Sequence, residues 1–298
     1  MTTNKTNPEL FDSQMTDSEE PNSETWWVKG SPPAPVAWYG GKKYYAKWII
    51  ENFCDHRVFV EPFGGAANIL LRKRKSEVEI YNDLDSRITN FFNVVRNRDK
   101  CAELIRISTL TPYSREVFSE LADQPEPVDE IDKAWWFFVR CRQAIGGLGM
   151  SKLTPKSWSA STRTRRGMPE GVSKYLSAID GLENVSDRLR EVMFECLPAI
   201  DIIKKYDSED ALFYLDPPYL PETRHSGKAS TYGVEMCYED HENLLGTIKS
   251  CKSKIILSGY LSDLYSSELK DWRVDTVKGK SHMSNSGQSR TEILWMNY

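Results

Sequence analysis

Two neighbouring stretches decide the fold: Arg57-Val58-Phe59-Val60-Glu61-Pro62-Phe63-Gly64-Gly65-Ala66-Ala67 and Val78-Glu79-Ile80-Tyr81-Asn82-Asp83. The first is a short apolar run that breaks on a glycine pair, and Asn68-Ile69-Leu70-Leu71-Arg72-Lys73 follows it as a helical run. The second is another short apolar run, and it ends on an acid. The spacing predicts strand, glycine turn, helix, strand, acid. Small residues at the turn let a ligand approach the backbone, and the amino end of the next helix adds partial positive charge. An ordinary strand-to-helix turn accounts for the glycines alone. Asp83, however, stands where a doubly wound nucleotide site keeps its ribose acceptor. Glu61 at the turn disfavours a pyrophosphate and suits a cationic ligand carrying an α-amino group. The pair of stretches points to an adenosine-containing cofactor.

Outward from this unit, Ile88, Phe91, Phe92 and Val95 mark a helix. Ala211-Leu212-Phe213-Tyr214-Leu215-Asp216 and Lys254-Ile255-Ile256-Leu257-Ser258 read as two more buried parallel strands, with a helix through Leu244, Leu245 and Ile248 between them. Glu292-Ile293-Leu294-Trp295-Met296 is a closing strand. The fold class is therefore α/β. From residue 101 to 200 the pattern turns helical with loops, as in Ile131, Ala134, Trp135, Phe138 and Val139, and this span is expected to be an insert between catalytic segments 31–100 and 201–298. Residues 1–30 are expected to be a disordered acidic tail, with order setting in near Trp26-Trp27 or at Ser31-Pro32-Pro33-Ala34-Pro35.

Net charge and cysteine usage narrow the class further. Glu9, Asp12, Asp17, Glu19, Glu20 and Glu24 face only Lys5 and Lys29 in the first 30 residues, so this tail carries the whole net charge of -4. The remainder is neutral and free to present a basic face. No apolar run reaches the roughly 20 residues of a membrane-spanning helix. The amino terminus lacks an apolar signal core, so a cytoplasmic location is expected. The six cysteines are scattered, without Cys-x-x-Cys pairs or a nearby histidine spacing, which argues for free thiols and no metal.

The sharpest chemical signal is Asp216-Pro217-Pro218-Tyr219 at the carboxyl end of an apolar strand, the edge at which α/β sheets bind ligands. Paired prolines leave backbone carbonyls unpartnered. The Asp216 carboxylate and the Pro217 carbonyl would accept both hydrogens of an aromatic amine, draw its nitrogen toward tetrahedral geometry and expose its lone pair. Tyr219 offers a flat face to an extruded base. A tight Pro-Pro loop with a capping aspartate is the alternative reading of the tetrapeptide. Upstream, Trp38-Tyr39-Gly40-Gly41-Lys42 is either a turn or a loop folding over a cofactor. Between residues 140 and 167, Arg140, Arg142, Lys152, Lys156, Arg163, Arg165 and Arg166 stand without a single Asp or Glu, the pattern of a phosphate-tracking segment.

Taken in order, Trp38-Tyr39-Gly40-Gly41-Lys42, Glu61-Pro62-Phe63-Gly64-Gly65-Ala66, Asn82-Asp83, a basic helical insert and Asp216-Pro217-Pro218-Tyr219 resemble the Dam-like, α-ordered D12 class of DNA adenine N6-methyltransferases, phage and prophage members especially. The resemblance covers residues 34–298. It implies a seven-stranded Rossmann-like methyltransferase sheet, S-adenosylmethionine as donor, a helical target-recognition insert and double-stranded DNA as partner, with no metal; the oligomeric state is left open, a monomer on DNA being one option. Carried over by motif, Trp38, Gly41, Lys42, Glu61, Phe63, Gly65, Asp83 and Asp216 are implied cofactor contacts, and Asp216, Pro217, Pro218 and Tyr219 the catalytic tetrapeptide. This chain departs from the family at Ala67, where a glycine is usual. Leu257-Ser258-Gly259-Tyr260 and Arg290-Thr291-Glu292-Ile293-Leu294-Trp295 also resemble family segments. Tyr260 reads equally as a base-pocket wall or a core aromatic, and Lys278 to Ser289 as a loop near DNA.

Two decoys are set aside. Glu183-Asn184-Val185 matches an element of cytosine C5-methyltransferases, but no Pro-Cys nucleophile exists in the chain. Gly279-Lys280-Ser281 lacks the upstream glycine of a P-loop. Cytosine N4 methylation, an RNA substrate, and DNA binding without turnover remain as alternatives to adenine methylation.

Overall fold

The computed structural model describes residues 25–147, 149, 153–223, 235–280 and 289–298. The tail up to residue 24, Lys152 and most of the expected loop 278–289 lie outside them. In chain order the elements are α1 (Ala46–Glu51), β1 (Val58–Glu61), β2 (Val78–Asn82), α2 (Ser86–Arg96), α3 (Arg98–Leu110), α4 (Arg115–Asp123) and α5 (Glu130–Gln143). A hairpin of β3 (Thr164–Arg165) and β4 (Met168–Pro169) follows, then α6 (Glu170–Asp180), α7 (Leu182–Leu189), β5 (Met193–Glu195), α8 (Ala199–Tyr206) and β6 (Ala211–Leu215). The rest are α9 (Tyr238–Lys249), β7 (Lys254–Gly259), α10 (Asp263–Glu268), β8 (Arg273–Lys280) and β9 (Ser289–Met296).

Seven strands form one sheet in the order β5-β2-β1-β6-β7-β9-β8. The first five run parallel, and β9 lies antiparallel between β7 and β8. Alternation along each strand feeds two apolar layers. Leu212 and Tyr214 of β6 join a core with Phe59, Tyr81 and helices α2, α5 and α7, whereas Ala211, Phe213 and Leu215 face a second core with α8 and α9. Burial on both faces explains why β1 and β6 read as continuous apolar runs. Strand order reverses at β1, whose neighbours β2 and β6 are reached by connections to opposite sides. The carboxyl ends of β1 and β6 therefore flank the crevice in which such sheets bind ligands.

Three expectations are corrected here. No helix follows the glycine pair: residues 68–72 form successive turns, in which Leu71 and Lys73 amides bond back to Ala67 and Ile69. Ala67 enters this segment at φ 54°, a left-handed conformation that starts no right-handed helix. Second, the span 101–200 is not wholly an insert, since β5 within it pairs with β2 as the edge of the sheet. Third, residues 25–30 are not tail. Trp26 is buried and stacked on His56, and Trp27 bridges Lys73.

Candidate active site

The crevice is a cavity of about 310 Å³ whose walls come from the Trp38 loop, the ends of β1, β2 and β6, the start of α8, and α9. At the end of β1 the chain turns through Gly64, where a Cβ would fall 2.1 Å from the Tyr81 ring, and Gly65, at φ 46°. A Cβ on Gly65 would also lie 2.7 Å from Trp38 Nε1. Glycine is required at both positions, and the Trp38 indole closes over the second. The Tyr81 hydroxyl donates to the Gly65 carbonyl at 2.6 Å.

At the end of β2, Asn82 is fully buried and ties three segments together. Its amide donates to the carbonyls of Pro62 (2.8 Å) and Leu197 (3.0 Å), and its Oδ1 accepts from Leu197 N–H (2.9 Å). Next to it, Asp83 accepts the backbone amides of Gly65 (2.8 Å) and Asp85 (2.9 Å), one on each oxygen. Desolvation still pushes its carboxyl up to about 6. Glu61 is buried, accepts only the Leu70 amide at 3.2 Å among the described residues, and is held well above the usual carboxylate range by burial. Asn68 Oδ1, on the same wall, is buried without a partner among the described residues.

Among the described residues six acidic side chains, Glu61, Asp83, Asp85, Asp216, Glu235 and Asp240, line the cavity against one cation, Lys42. That lysine is buried and ion-paired to Asp216 at 2.9 Å. The cavity thus repels phosphates and attracts cations. Of the expected cofactor contacts, Trp38, Gly41, Lys42, Glu61, Phe63, Gly65, Asp83 and Asp216 all line it. Among the described residues no group of three or more metal-ligating side chains is placed to hold an ion.

On Asp216, Lys42 Nζ and Ser258 Oγ both bind Oδ1, each at 2.9 Å, and no side-chain or backbone hydrogen bond joins Oδ2 to another described residue. Ser258, at the end of β7, is in turn 3.2 Å from the buried Tyr214 hydroxyl. Pro217 and Pro218 continue into the cavity wall. Tyr219 differs from expectation. Its ring is buried, Lys42 Nζ sits 4.6 Å over it, Tyr260 meets it edge-on at 4.6 Å, and its hydroxyl donates to Glu292 of β9. An open stacking face is not what the residue presents in this state. Tyr260, for its part, packs on Tyr219 beside the cavity.

The basic residues separate into two groups. Arg140 is buried on α5, stacks on Trp136 at 4.2 Å and donates to the carbonyls of Leu121 (2.8 Å) and Gly149 (3.3 Å). Arg142 bonds the Lys174 carbonyl, and burial lowers its guanidinium to about 10. Both side chains are engaged in holding helices together. Lys156, Arg163, Arg165 and Arg166 are exposed. The last two belong to the β3–β4 hairpin, whose turn residues Arg166 and Gly167 both have positive φ (55° and 73°), the geometry of a tight two-residue hairpin. The contacts of Glu292 with Lys42 and Tyr219, and of Ser258 with Asp216, were not disclosed by the sequence; a lone acid in the apolar run of β9 was the available signal.

Comparison with known proteins adds the following. A family model described as D12 class N6 adenine-specific DNA methyltransferase matches residues 38–285. The chain is also 24% identical over 282 residues to the type II methyltransferase M1.LlaDCHI of Lactococcus lactis subsp. cremoris, covering 88% of this chain and 94% of the relative.

Proposed function

The chain belongs to the D12 class of N6 adenine-specific DNA methyltransferases and so methylates adenine in DNA, and from that premise we propose that it uses S-adenosylmethionine and acts on a base swung out of the duplex, by direct in-line transfer. The observation that carries this reading is the acid-lined cavity ending on Asp216, a carboxylate with one oxygen engaged by Lys42 and Ser258 and the other uncommitted among the described residues.

The residues fit such a donor. When bound, S-adenosylmethionine supplies an electrophilic methyl group on a positively charged sulfur. Asp83, aimed by the Gly65 and Asp85 amides, accepts ribose hydroxyls. Glu61 and the unpartnered Asn68 Oδ1 suit an ammonium group, and Trp38 covers Gly65 as a lid. On the target side, Asp216 Oδ2 and the Pro217 carbonyl accept the two amino hydrogens and localise the nitrogen lone pair. Holding amine and donor in line supplies most of the remaining acceleration. Asp216 takes up the proton that the nitrogen sheds. Arg163, Arg165, Arg166 and Lys156 contact phosphates of the duplex.

The test is mass spectrometry of nucleosides from unmethylated plasmid incubated with the protein, with and without S-adenosylmethionine. N6-methyladenine formed only with the donor is expected. N4-methylcytosine would overturn the base, and no modified base despite donor binding would overturn turnover itself.

A further inference from the structure

Glu292 neither lines the cavity nor belongs to the Asp-Pro-Pro-Tyr loop, yet its buried carboxylate touches both Lys42, the cation paired with Asp216, and Tyr219, the aromatic of that loop. Its Oε1 lies 3.4 Å from Lys42 Nζ and accepts the Tyr219 hydroxyl. Lys42 therefore sits between two carboxylates, with a further bond to the Gly40 carbonyl at 3.1 Å. We propose that Glu292 is a positioning residue of the methyl-transfer site, which divides the Lys42 ammonium between itself and Asp216 and anchors Tyr219 by its hydroxyl.

The physical argument concerns what Lys42 would do alone. A buried ammonium binds as a point charge with no fixed preference between the two oxygens of a lone carboxylate, and without Glu292 it is free to shift across onto Oδ2. Asp216 would then lose the oxygen the amine requires. With Glu292 opposite, the ammonium is held to one side, on Oδ1, and the Ser258 hydroxyl fixes the carboxylate plane from a second direction. The same Oε1 fixes Tyr219, so the acid and the aromatic of the tetrapeptide are set by one side chain from a strand far along the sequence.

The inference rests on the reading that Asp216 holds the target amine, and the experiment keeps the two apart. Single-turnover methylation rates, donor affinity and DNA affinity are measured for Glu292→Gln, Tyr219→Phe and Asp216→Ala, with melting temperature as a check on folding. Glu292→Gln keeps the shape and an acceptor for Tyr219 but removes the charge that competes for Lys42. It is expected to slow transfer by about tenfold or more while donor and DNA affinities stay within about twofold, and to be slower than Tyr219→Phe. A Glu292→Gln rate equal to wild type, or a loss accounted for by weaker donor binding and a lower melting temperature, overturns the inference. So does a rate no lower than that of Tyr219→Phe. Wild-type transfer by Asp216→Ala would instead sink the reading beneath it.

Discussion

Asp83 shows how a single side chain is both placed and charged for its task. Two backbone amides aim its oxygens, while desolvation raises the carboxyl to about 6. With Asp83 proposed as the acceptor of ribose hydroxyls, its share of donor affinity is expected to be full above this value and to weaken as pH falls through it, approaching about tenfold per pH unit below about 6 if only the ionised form binds. Calorimetric titration from about pH 5 to about pH 8 checks this, and Asp83→Asn should bind weakly and lose the inflection near about 6, leaving only the titration of the buried Glu61. Constant wild-type affinity over that range contradicts it. Asp83 was legible from its place after a predicted strand. Glu292 was not, because its significance arises from a contact with Lys42, and no local spacing in the sequence joins β9 to the loop before α1.

Helices and strands were legible in proportion to their burial. The inner strands β1, β6 and β7 are apolar on both faces and read directly. Strand β5 is three residues long with Met193 45% exposed, and β8 is a mostly exposed edge, so neither announces itself. The run Ile69-Leu70-Leu71 misled because uninterrupted apolar residues carry no period that separates helix from buried turn. The basic segment misled in a different way. Counting charges ignored that Arg140 falls one helical turn after Trp136 and so on its buried face. The two groups of arginines accordingly have separable outcomes. Replacing Arg163, Arg165 and Arg166 together by alanine should lower the salt slope of DNA binding by up to about three, with stability little changed. Arg140→Ala should leave that slope alone and cost about 2 kcal/mol of stability, since the Leu121 carbonyl keeps only the Trp136 indole of its two donors and the stacking on Trp136 is lost. Salt titrations and urea unfolding of both variants decide between these roles.

Across the whole molecule, the parts expected to be separate are fastened by buried charge. Lys73 after the β1 turn, Glu79 on β2 and Arg188 on α7 form a triad with contacts of 2.5 and 2.6 Å, and Arg188 also reaches the Leu70 carbonyl at 2.8 Å. Burial lowers the Lys73 ammonium to about 8 even beside Glu79. Removing the shared acid strands two cations, so Glu79→Ala is expected to cost about 3–5 kcal/mol in urea unfolding; a loss under about 1 kcal/mol would show that water relieves the site. Around the triad, α2, α3, α5 and α7 share one core with Phe59, Tyr81 and Tyr214 of the sheet. That continuity bears on how such a protein can change its target. A recognition unit with its own core could be exchanged as a cassette, but here a cut at residues 101 and 200 would pull β5 from β2 and open the core. If the exposed basic stretch around the β3–β4 hairpin reads the target as proposed, new specificity is reached there by point substitution, one side chain at a time, while the architecture is inherited whole.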